Sequence, residues 1–243
     1  MEAHNLTYKL FGKQAILIEW PPEINENILN DIVEFKNRIL ASNNKVILEV
    51  INTYNSLTIF YTSTIDKIDS EILALKALYS QANKLVNTEN RLWEIPVCYD
   101  VKFGIDLEEM ALEKKVSNDQ LIEWHSSAVY RVHFIGFLPG FLYLGGMDAR
   151  LDTPRKSTPR LYVDKGSVGI GGSQTGVYPQ NSAGGWNIIG RSPISFFDST
   201  KERPCFAKSG DHIKFRAIDL DAYMKIETQV KIGFYELKYR RND

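Results

Sequence analysis

The segment from Gly166 to Arg191 (GSVGIGGSQTGVYPQNSAGGWNIIGR) sets several chemically capable side chains among glycine-rich turns. These side chains are Gln174, Thr175, Tyr178, Trp186 and Arg191. Glycine turns can expose backbone N–H groups around an anion or an amide. The carboxamide of Gln174 both donates and accepts hydrogen bonds, which suits an amide-like ligand. Glycine hairpins of any β-barrel look partly similar, but they do not explain this crowding, so we favour a binding site.

A second segment, Leu151 to Arg160 (LDTPRKSTPR), places Pro154 before Arg155 and Pro159 before Arg160. Each proline restricts its own backbone and that of its predecessor, so both arginines stand on a stiffened chain. A guanidinium held in this way can grip a carboxylate or phosphate with two parallel hydrogen bonds. A polar surface loop with solvated arginines explains the pattern equally well.

A third segment, His133 to Gly146 (HFIGFLPGFLYLGG), mixes aromatic residues with glycines. Small residues let a backbone approach a ligand while aromatic rings form the walls of its site. A buried strand with glycine bulges is the alternative, and this segment alone favours that alternative. His133 has the titration range of a general acid or base, but a single histidine in an apolar run is more often a core residue.

Several standard signatures are missing from the sequence. It has no P-loop, and GIGGSQ departs from the dinucleotide fingerprint at Gln174. With four histidines and two distant cysteines, Cys98 and Cys205, we expect neither a metal site nor a disulfide. Asp106, Glu108 and Glu109 are expected to form a solvated helix start.

These segments lie in the second half of the chain, where short β-prone runs alternate with glycine and proline. Two short helices are predicted first, over Leu107 to Lys115 and over Asn118 to Tyr130, with Asn118 as a plausible N-cap. The helical period then stops. The predicted strands are Gly166 to Ile170, Gly185 to Ile189, Ile194 to Phe197 and His212 to Arg216. This pattern is typical of a β-barrel or sandwich, and we place the second domain at residues 91–243.

The first domain is placed at residues 1–90, where strand and helix patterns alternate. The predicted strands are Lys13 to Trp20, Val46 to Val50 and Leu57 to Tyr61. Amphipathic helices are predicted over Asn25 to Leu40 and over Ser70 to Val86. The order β-α-β-β-α, closed by Trp93 to Cys98, describes a small ferredoxin-like α/β sandwich.

Bulk properties narrow the class of protein. The 243 residues carry a net charge of -1, which gives no general attraction to nucleic acid or to anionic membranes. No stretch approaches the roughly 20 apolar residues that span a bilayer, and the N-terminus lacks the features of a signal peptide. We therefore expect a cytoplasmic protein.

Several long motifs occur in the order seen in one bacterial family. They are IPVCYD, FGIDLEEMA, IGFLPGFLYLGGMDARL, TPRKSTPR, GSVGIGGSQTGVYP and GGWNIIGRSP. The chain resembles the family of allophanate hydrolase subunit 1, of the 5-oxoprolinase B subunit and of sporulation-kinase inhibitors, strongly over residues 95–216. The resemblance implies an α+β protein in which a cyclophilin-like β-barrel follows the small domain. It also implies a stable complex with a C subunit, and with an A subunit.

The assembly that this resemblance implies consumes ATP to open the lactam 5-oxoproline to glutamate. ATP can activate the lactam by phosphorylating its amide oxygen, and we expect the isolated chain to be inactive and not to bind ATP alone. The implied catalytic residues are Arg155, Arg160, Gln174 and Arg191, with the arginines on carboxylate or phosphoryl oxygens and Gln174 on the lactam amide. The implied substrate-binding residues are Phe137, Pro139, Gly140, Phe141, Thr175, Tyr178 and Trp186. All of these are expected around one shared concavity.

The sequence departs from the family pattern in places, with Leu142 where proline is common and Ala183 where SPGGW is usual. Two other functions stay open. The chain could inhibit a sporulation-type histidine kinase, or it could serve urea or allophanate metabolism.

Overall fold

The computed structural model describes residues 4–81 and 90–242. The chain divides into two compact units, residues 1–88 and 89–243. Both units contain helices and strands, so the chain is a mixed α/β protein. Within the described ranges, no helix combines the length and the apolar character needed to cross a membrane.

The first unit packs two helices against an antiparallel sheet. Its elements are β1 (Thr7–Leu10), β2 (Ala15–Glu19), α1 (Glu26–Ala41), β3 (Ile47–Asn52), β4 (Ser56–Tyr61) and α2 (Ile68–Tyr79). The strand order is β1-β2-β4-β3. Asn25 caps α1 by accepting a hydrogen bond from the Asn27 backbone, and the apolar face of the helix, including Ile32 and Phe35, is buried in the core.

The strand that closes this sheet is not the predicted one. β1 lies beside β2, at the position that the prediction gives to Trp93–Cys98. Residues 93–98 instead belong to the sheet of the second unit, so that part of the ferredoxin-like prediction is wrong. Helix α2 ends at Tyr79 rather than Val86, and residues 82–86 lie outside the described part of the chain.

The second unit is built on an eight-stranded sheet. Its strands are β5 (Asn90–Cys98), β6 (Tyr130–Ile135), β7 (Leu142–Gly145), β9 (Ser167–Gly171), β10 (Gln174–Val177), β12 (Asn187–Arg191), β13 (His212–Ile218) and β14 (Tyr239–Asn242). A separate two-stranded ribbon joins β8 (Arg160–Val163) to β11 (Ser182–Gly184). The helices are α3 (Leu107–Lys114), α4 (Asn118–Ser127) and α5 (Leu220–Lys231), with a 3₁₀ turn at Ala149–Leu151.

Strand β5 is the centre of this sheet. It pairs in parallel with β13 along its length, and with β14 and β12 at its two ends. The order runs β10-β9-β12-β5-β13-β6-β7, and the two outermost strands approach each other again. A Cβ on Gly176 of β10 would lie 3.2 Å from the Leu142 carbonyl oxygen of β7. The sheet is therefore a nearly closed barrel, filled by apolar side chains.

Three local predictions for the second unit need correction. Ser117 rather than Asn118 caps α4, because its hydroxyl accepts a hydrogen bond from the Gln120 backbone. Ile194–Phe197 forms bends rather than a strand. Helix α5 is absent from the predicted elements, although Asp219 gives it an N-cap of the usual kind.

Candidate functional site

The second unit contains a small pocket with aromatic walls, which we call the aromatic pocket. It encloses about 220 Å³, and its main lining residues are Phe137, Phe141, Tyr143, Arg155, Tyr178 and Trp186. Lys156, Pro159 and residues 183–185 complete the lining. Five of the predicted site residues are thus brought together in one concavity.

Three rings of this pocket, those of Phe141, Tyr178 and Trp186, pack edge to face. The ring centroids lie 5.5 Å apart for Phe141 and Trp186, and 6.0 Å apart for Phe141 and Tyr178. Such geometry is favourable between aromatic rings and fixes their orientation. Two glycines make room for the rings, since a Cβ on Gly171 would lie 2.5 Å from the Trp186 indole and one on Gly184 would overlap the Tyr178 hydroxyl.

The rim of the pocket is formed by a loop in an unusual backbone conformation. Phe137 has φ of 63°, a left-handed value that a bulky residue rarely adopts, yet its side chain is 69% exposed. Its ring contacts Phe141 at right angles. Gly140 has φ of 85° and its backbone packs against Phe196 and Phe197, so it shapes the loop. Gly140 is buried and Pro139 is exposed, and neither lines the pocket.

Arg155 is the cation of this pocket. Its guanidinium carbon lies 5.8 Å from the centroid of the Trp186 ring. It forms no ion pair or hydrogen bond with any residue of the described ranges. Burial raises the pKa of the Tyr178 hydroxyl, while a backbone hydrogen bond from Trp186 and the charges of Arg155 and Arg160 oppose the rise. An arginine that lacks a carboxylate partner beside apolar rings is suited to an anionic ligand.

The loop that carries Arg155 is anchored by one buried carboxylate. Asp106 is 2% exposed, and its Oδ1 lies 2.5 Å from a guanidinium nitrogen of Arg160 and 3.3 Å from Nζ of Lys156. Its other oxygen accepts a hydrogen bond of 2.6 Å from the backbone of Ile188. The expectation that Asp106 is solvated is therefore wrong. Arg160 serves as an anchor of the loop and does not line the pocket.

Gln174 and Thr175 lie on opposite faces of β10, because successive side chains of a strand alternate. Gly176, two residues after Gln174, faces Phe141 and Trp186. Gln174 therefore shares the aromatic face of the strand, although it is outside the lining of the pocket. Thr175 is fully buried on the other face and makes no contribution to the pocket.

Thr175 belongs instead to a buried hydrogen-bonded chain around His125. Its hydroxyl lies 3.0 Å from the Gly169 carbonyl and 2.8 Å from Nε2 of His125. Since the hydroxyl donates to the carbonyl, it accepts from Nε2–H, and Nδ1 accepts the Tyr99 hydroxyl at 2.7 Å. Burial lowers the pKa of His125 to about 3, so the imidazole is neutral. These hydrogen bonds connect α4 to the barrel sheet.

Arg191 lies in a different place from the aromatic pocket. Its guanidinium pairs with Asp164 and covers the Phe103 ring at 4.8 Å. It lines a second cavity of about 270 Å³, which we call the polar pocket, with Lys165 and Ser192. Of the four predicted catalytic residues, only Arg155 lines the aromatic pocket, since Arg160 and Gln174 lie outside its lining and Arg191 lines the polar pocket. The expectation that all four share one concavity is therefore wrong.

Sequence reasoning misses Tyr143, Lys156 and Asp106. Lys156 stands between the two Pro-Arg pairs, and its charge in that segment is a usable signal. Tyr143 follows Phe141 at the strand spacing of two, which puts both rings on the same face. His133, a candidate acid or base by residue type, is buried against Gly145. Within the described ranges, no three His, Cys, Asp or Glu side chains converge to hold a metal ion.

Comparison with known proteins gives the family of the chain. The carboxyltransferase domain, subdomains C and D, matches residues 6–207. The chain belongs to this family. Its relatives include the 5-oxoprolinase B subunit of Bacillus subtilis, 35% identical over 87% of this chain and 92% of that protein. The same protein of Escherichia coli O157:H7 is 37% identical over 85% of this chain and 93% of its own length. The predicted family is thereby confirmed.

Two solved structures have a similar fold. The crystal structure of TTHA0988 superposes with a TM-score of 0.74 at 28% identity, over 85% of this chain. The chain spans only 40% of the length of that protein. Urea carboxylase of Kluyveromyces lactis gives a TM-score of 0.79 over 99% of this chain and 24% of its own. At 19% identity, the latter likeness shows the fold alone.

Proposed function

We propose that the chain is the B-type component of an ATP-dependent 5-oxoprolinase, which opens 5-oxoproline to glutamate together with A and C subunits. The observation that supports this most directly is Arg155, which has no carboxylate partner in the described residues and stands over Trp186 at a small aromatic pocket. Relatives named as the B subunit of 5-oxoprolinase, 35% and 37% identical over most of the chain, support the same function.

The chemistry of 5-oxoproline fits this pocket. The molecule is a small ring with one carboxylate and one lactam amide. We assign its carboxylate to Arg155, because a guanidinium binds a carboxylate with two charge-assisted hydrogen bonds. The ring would pack against Trp186 and Phe141, and Phe137 would cover it from the rim.

The other predicted catalytic residues take different roles in this proposal. Gln174 is placed on the aromatic face of β10 and would bind the lactam amide where the pocket opens. Arg160 is a positioning residue, since it binds Asp106 and holds the loop of Arg155. Arg191 is left out of the site because it lines the polar pocket.

An unstrained lactam is a poor electrophile, so the reaction needs activation. ATP would supply this chemistry: transfer of its γ-phosphoryl group to the amide oxygen would release ADP, addition of one water to the carbon would break the C–N bond, and a second water would release phosphate and leave glutamate. We assign nucleotide binding to one of the other subunits, because the sequence of this chain carries no P-loop. This chain would orient the substrate through Arg155 and exclude bulk water with its rings, which are effects of positioning.

The test is ATP-dependent glutamate release by the chain co-purified with its A and C partner subunits. Arg155→Ala should raise KM for 5-oxoproline by roughly 10- to 100-fold, the effect of losing a charged hydrogen bond. Arg150→Ala is the matched control, since Arg150 also covers a tryptophan ring, at 4.3 Å from Trp124, outside the pocket. It should behave as the unaltered complex.

The experiment tests the site assignment and the proposed activity separately. If Arg155→Ala and Gln174→Ala both keep normal KM and kcat, the site assignment is wrong. If the complex releases no glutamate, the proposed activity is wrong. Inhibition of a histidine kinase, or ATP-dependent consumption of urea, would then favour the two alternative functions.

The finer fold assignments also stay proposals. A cyclophilin-like description of the barrel agrees with its nearly closed sheet. For the first unit, the order β-α-β-β-α agrees with a ferredoxin-like core in which β1 replaces the usual last strand. We also propose that the protein is cytoplasmic.

A further inference from the structure

The polar pocket lies apart from the aromatic pocket, and the proposed activity does not use it. It forms between the end of β12, the turn that follows β8, and helix α5. The residues that carry the argument are Asp164, Lys165, Asn181, Arg191, Ser192 and Glu227. All of them line the cavity of about 270 Å³.

The two acidic side chains of this pocket are already satisfied. Asp164 pairs with Arg191. Glu227 accepts a hydrogen bond of 2.7 Å from Lys231 and one of 3.4 Å from the Tyr223 hydroxyl. Neither carboxylate is therefore left to attract a cationic ligand.

The polar pocket contains hydrogen-bond donors that have no acceptor among the described residues. Ser192 is 3% exposed, and its hydroxyl has no hydrogen-bond partner among the described residues. Nε of Arg191 is buried and also has no partner there. A buried polar group without a partner costs free energy, so such a group is a candidate to bind an ion, a ligand or an ordered water. Here the two groups belong to adjacent residues that line the same cavity.

Lys165 and Asn181 add further donors at the mouth of the pocket. Nζ of Lys165 forms no ion pair within the described ranges, and its only hydrogen bond there is a long one, 3.4 Å, to the Ser195 hydroxyl. Asn181 uses its oxygen to accept a hydrogen bond of 2.7 Å from the Lys165 backbone. Its amide N–H groups are therefore left to donate elsewhere.

From this balance we infer that the polar pocket binds a small oxyanion, the carboxylate or phosphate group of a metabolite. An oxyanion accepts several hydrogen bonds. Its negative charge would also pair with the ammonium group of Lys165, which forms no ion pair within the described ranges. Ser192 donates to it from the floor of the pocket, while Lys165 and Asn181 hold it at the mouth. The site is independent of the proposed activity, because none of its residues lines the aromatic pocket.

The experiment is a titration of the full chain with inorganic phosphate and, separately, with acetate, followed by NMR chemical shifts. Saturable binding of one of them identifies the class of oxyanion. Lys165→Met should weaken that binding at least tenfold, and Ser192→Ala several-fold. Lys45→Met, at an exposed lysine of the first unit, is the matched control and should change nothing. Lys165 is exposed, so its substitution should leave the fold intact.

Three results would overturn the inference. The first is the absence of saturable binding of either anion. The second is binding that both Lys165→Met and Ser192→Ala leave unchanged. The third is binding that Arg155→Ala abolishes, because this would place the anion in the aromatic pocket. An inactive 5-oxoprolinase complex would not affect any of these outcomes.

Discussion

The carboxylate of Asp106 lies 2.5 Å from the guanidinium of Arg160, and this ion pair connects the start of α3 to the first residue of β8. The same carboxylate attracts Lys156 and accepts the backbone N–H of Ile188. Arg155 immediately precedes Lys156, at the start of the segment that these contacts fix. The position of the one cation proposed to bind substrate therefore depends on a side chain that touches no substrate.

Asp106→Asn should loosen this segment. We expect a loss of about 1–3 kcal/mol in the free energy of unfolding, since a charged hydrogen bond to Arg160 is removed. In the complex, KM for 5-oxoproline should rise while kcat changes less. Chemical denaturation and glutamate-release kinetics measure the two effects.

Glu109→Gln is the control for that variant. Glu109 also pairs with Lys156, but its side chain is largely exposed. Exposed ion pairs contribute little to stability, so this variant should resemble the unaltered chain in both measurements. Equal effects of the two variants would contradict the anchoring role of Asp106.

Phe137 should show a conflict between stability and binding. Residue 137 has φ of 63°, a value that glycine adopts freely and other residues adopt only with strain. Phe137→Gly therefore relieves backbone strain, whereas Phe137→Ala keeps it. The glycine variant should therefore be more stable than the alanine variant by about 1 kcal/mol. Both lose the ring at the rim and should bind 5-oxoproline several-fold more weakly. An alanine variant as stable as the glycine variant would show that the loop relaxes on its own.

Gly171→Ala should disturb the wall of the aromatic pocket. Its new Cβ would lie 2.5 Å from the Trp186 indole, which must move, at a cost of about 1–3 kcal/mol. Tryptophan fluorescence and thermal unfolding report the change. Gly185→Ala lies in the same pocket, but its Cβ would meet nothing closer than 3.5 Å. That variant should leave the fluorescence unaltered.

His125 should make the stability of the second unit depend on pH. Burial lowers the pKa of His125 to about 3 in the folded chain, below its value of about 6.5 when unfolded. Between these values the unfolded chain binds one more proton, so stability falls as pH falls below about 6.5. The slope should reach about 1.4 kcal/mol per pH unit.

Urea denaturation at several pH values measures this dependence. His125→Gln should remove the contribution of one proton from the slope, although it also lowers stability at neutral pH by breaking the hydrogen bonds to Tyr99 and Thr175. An unchanged slope in His125→Gln would mean that another group controls the acid response.

Much of the secondary structure follows from local patterns. The predicted bounds of helix α1 agree with the structure within one residue at each end, because its apolar residues repeat at helical spacing. Ile194–Phe197 has the composition of a strand, but Phe196 is buried there through bends rather than through pairing. Local sequence patterns cannot predict which sheet β5 joins, because its main partner, β13, is remote in sequence.

The site is predictable only in part, for reasons of strand geometry. Trp186 and Arg191 are close in sequence, but the extended strand β12 separates them by roughly 17 Å, at about 3.3 Å per residue. They therefore serve different pockets. Gln174 and Thr175 are adjacent and face opposite sides of β10. Residue types indicate the chemistry, whereas the direction of each side chain requires the sheet register.

The central place of β5 also affects how the second unit is made during translation. This strand leaves the ribosome early, while β13 and β14, which cover its sides, are synthesised last. Until then its hydrogen-bonding edges are open and its apolar residues, such as Ile95 and Val97, lack their packing. Pairing between such distant segments is slow and leaves nascent chains prone to aggregation. The barrel can therefore close only after synthesis of the unit is nearly complete.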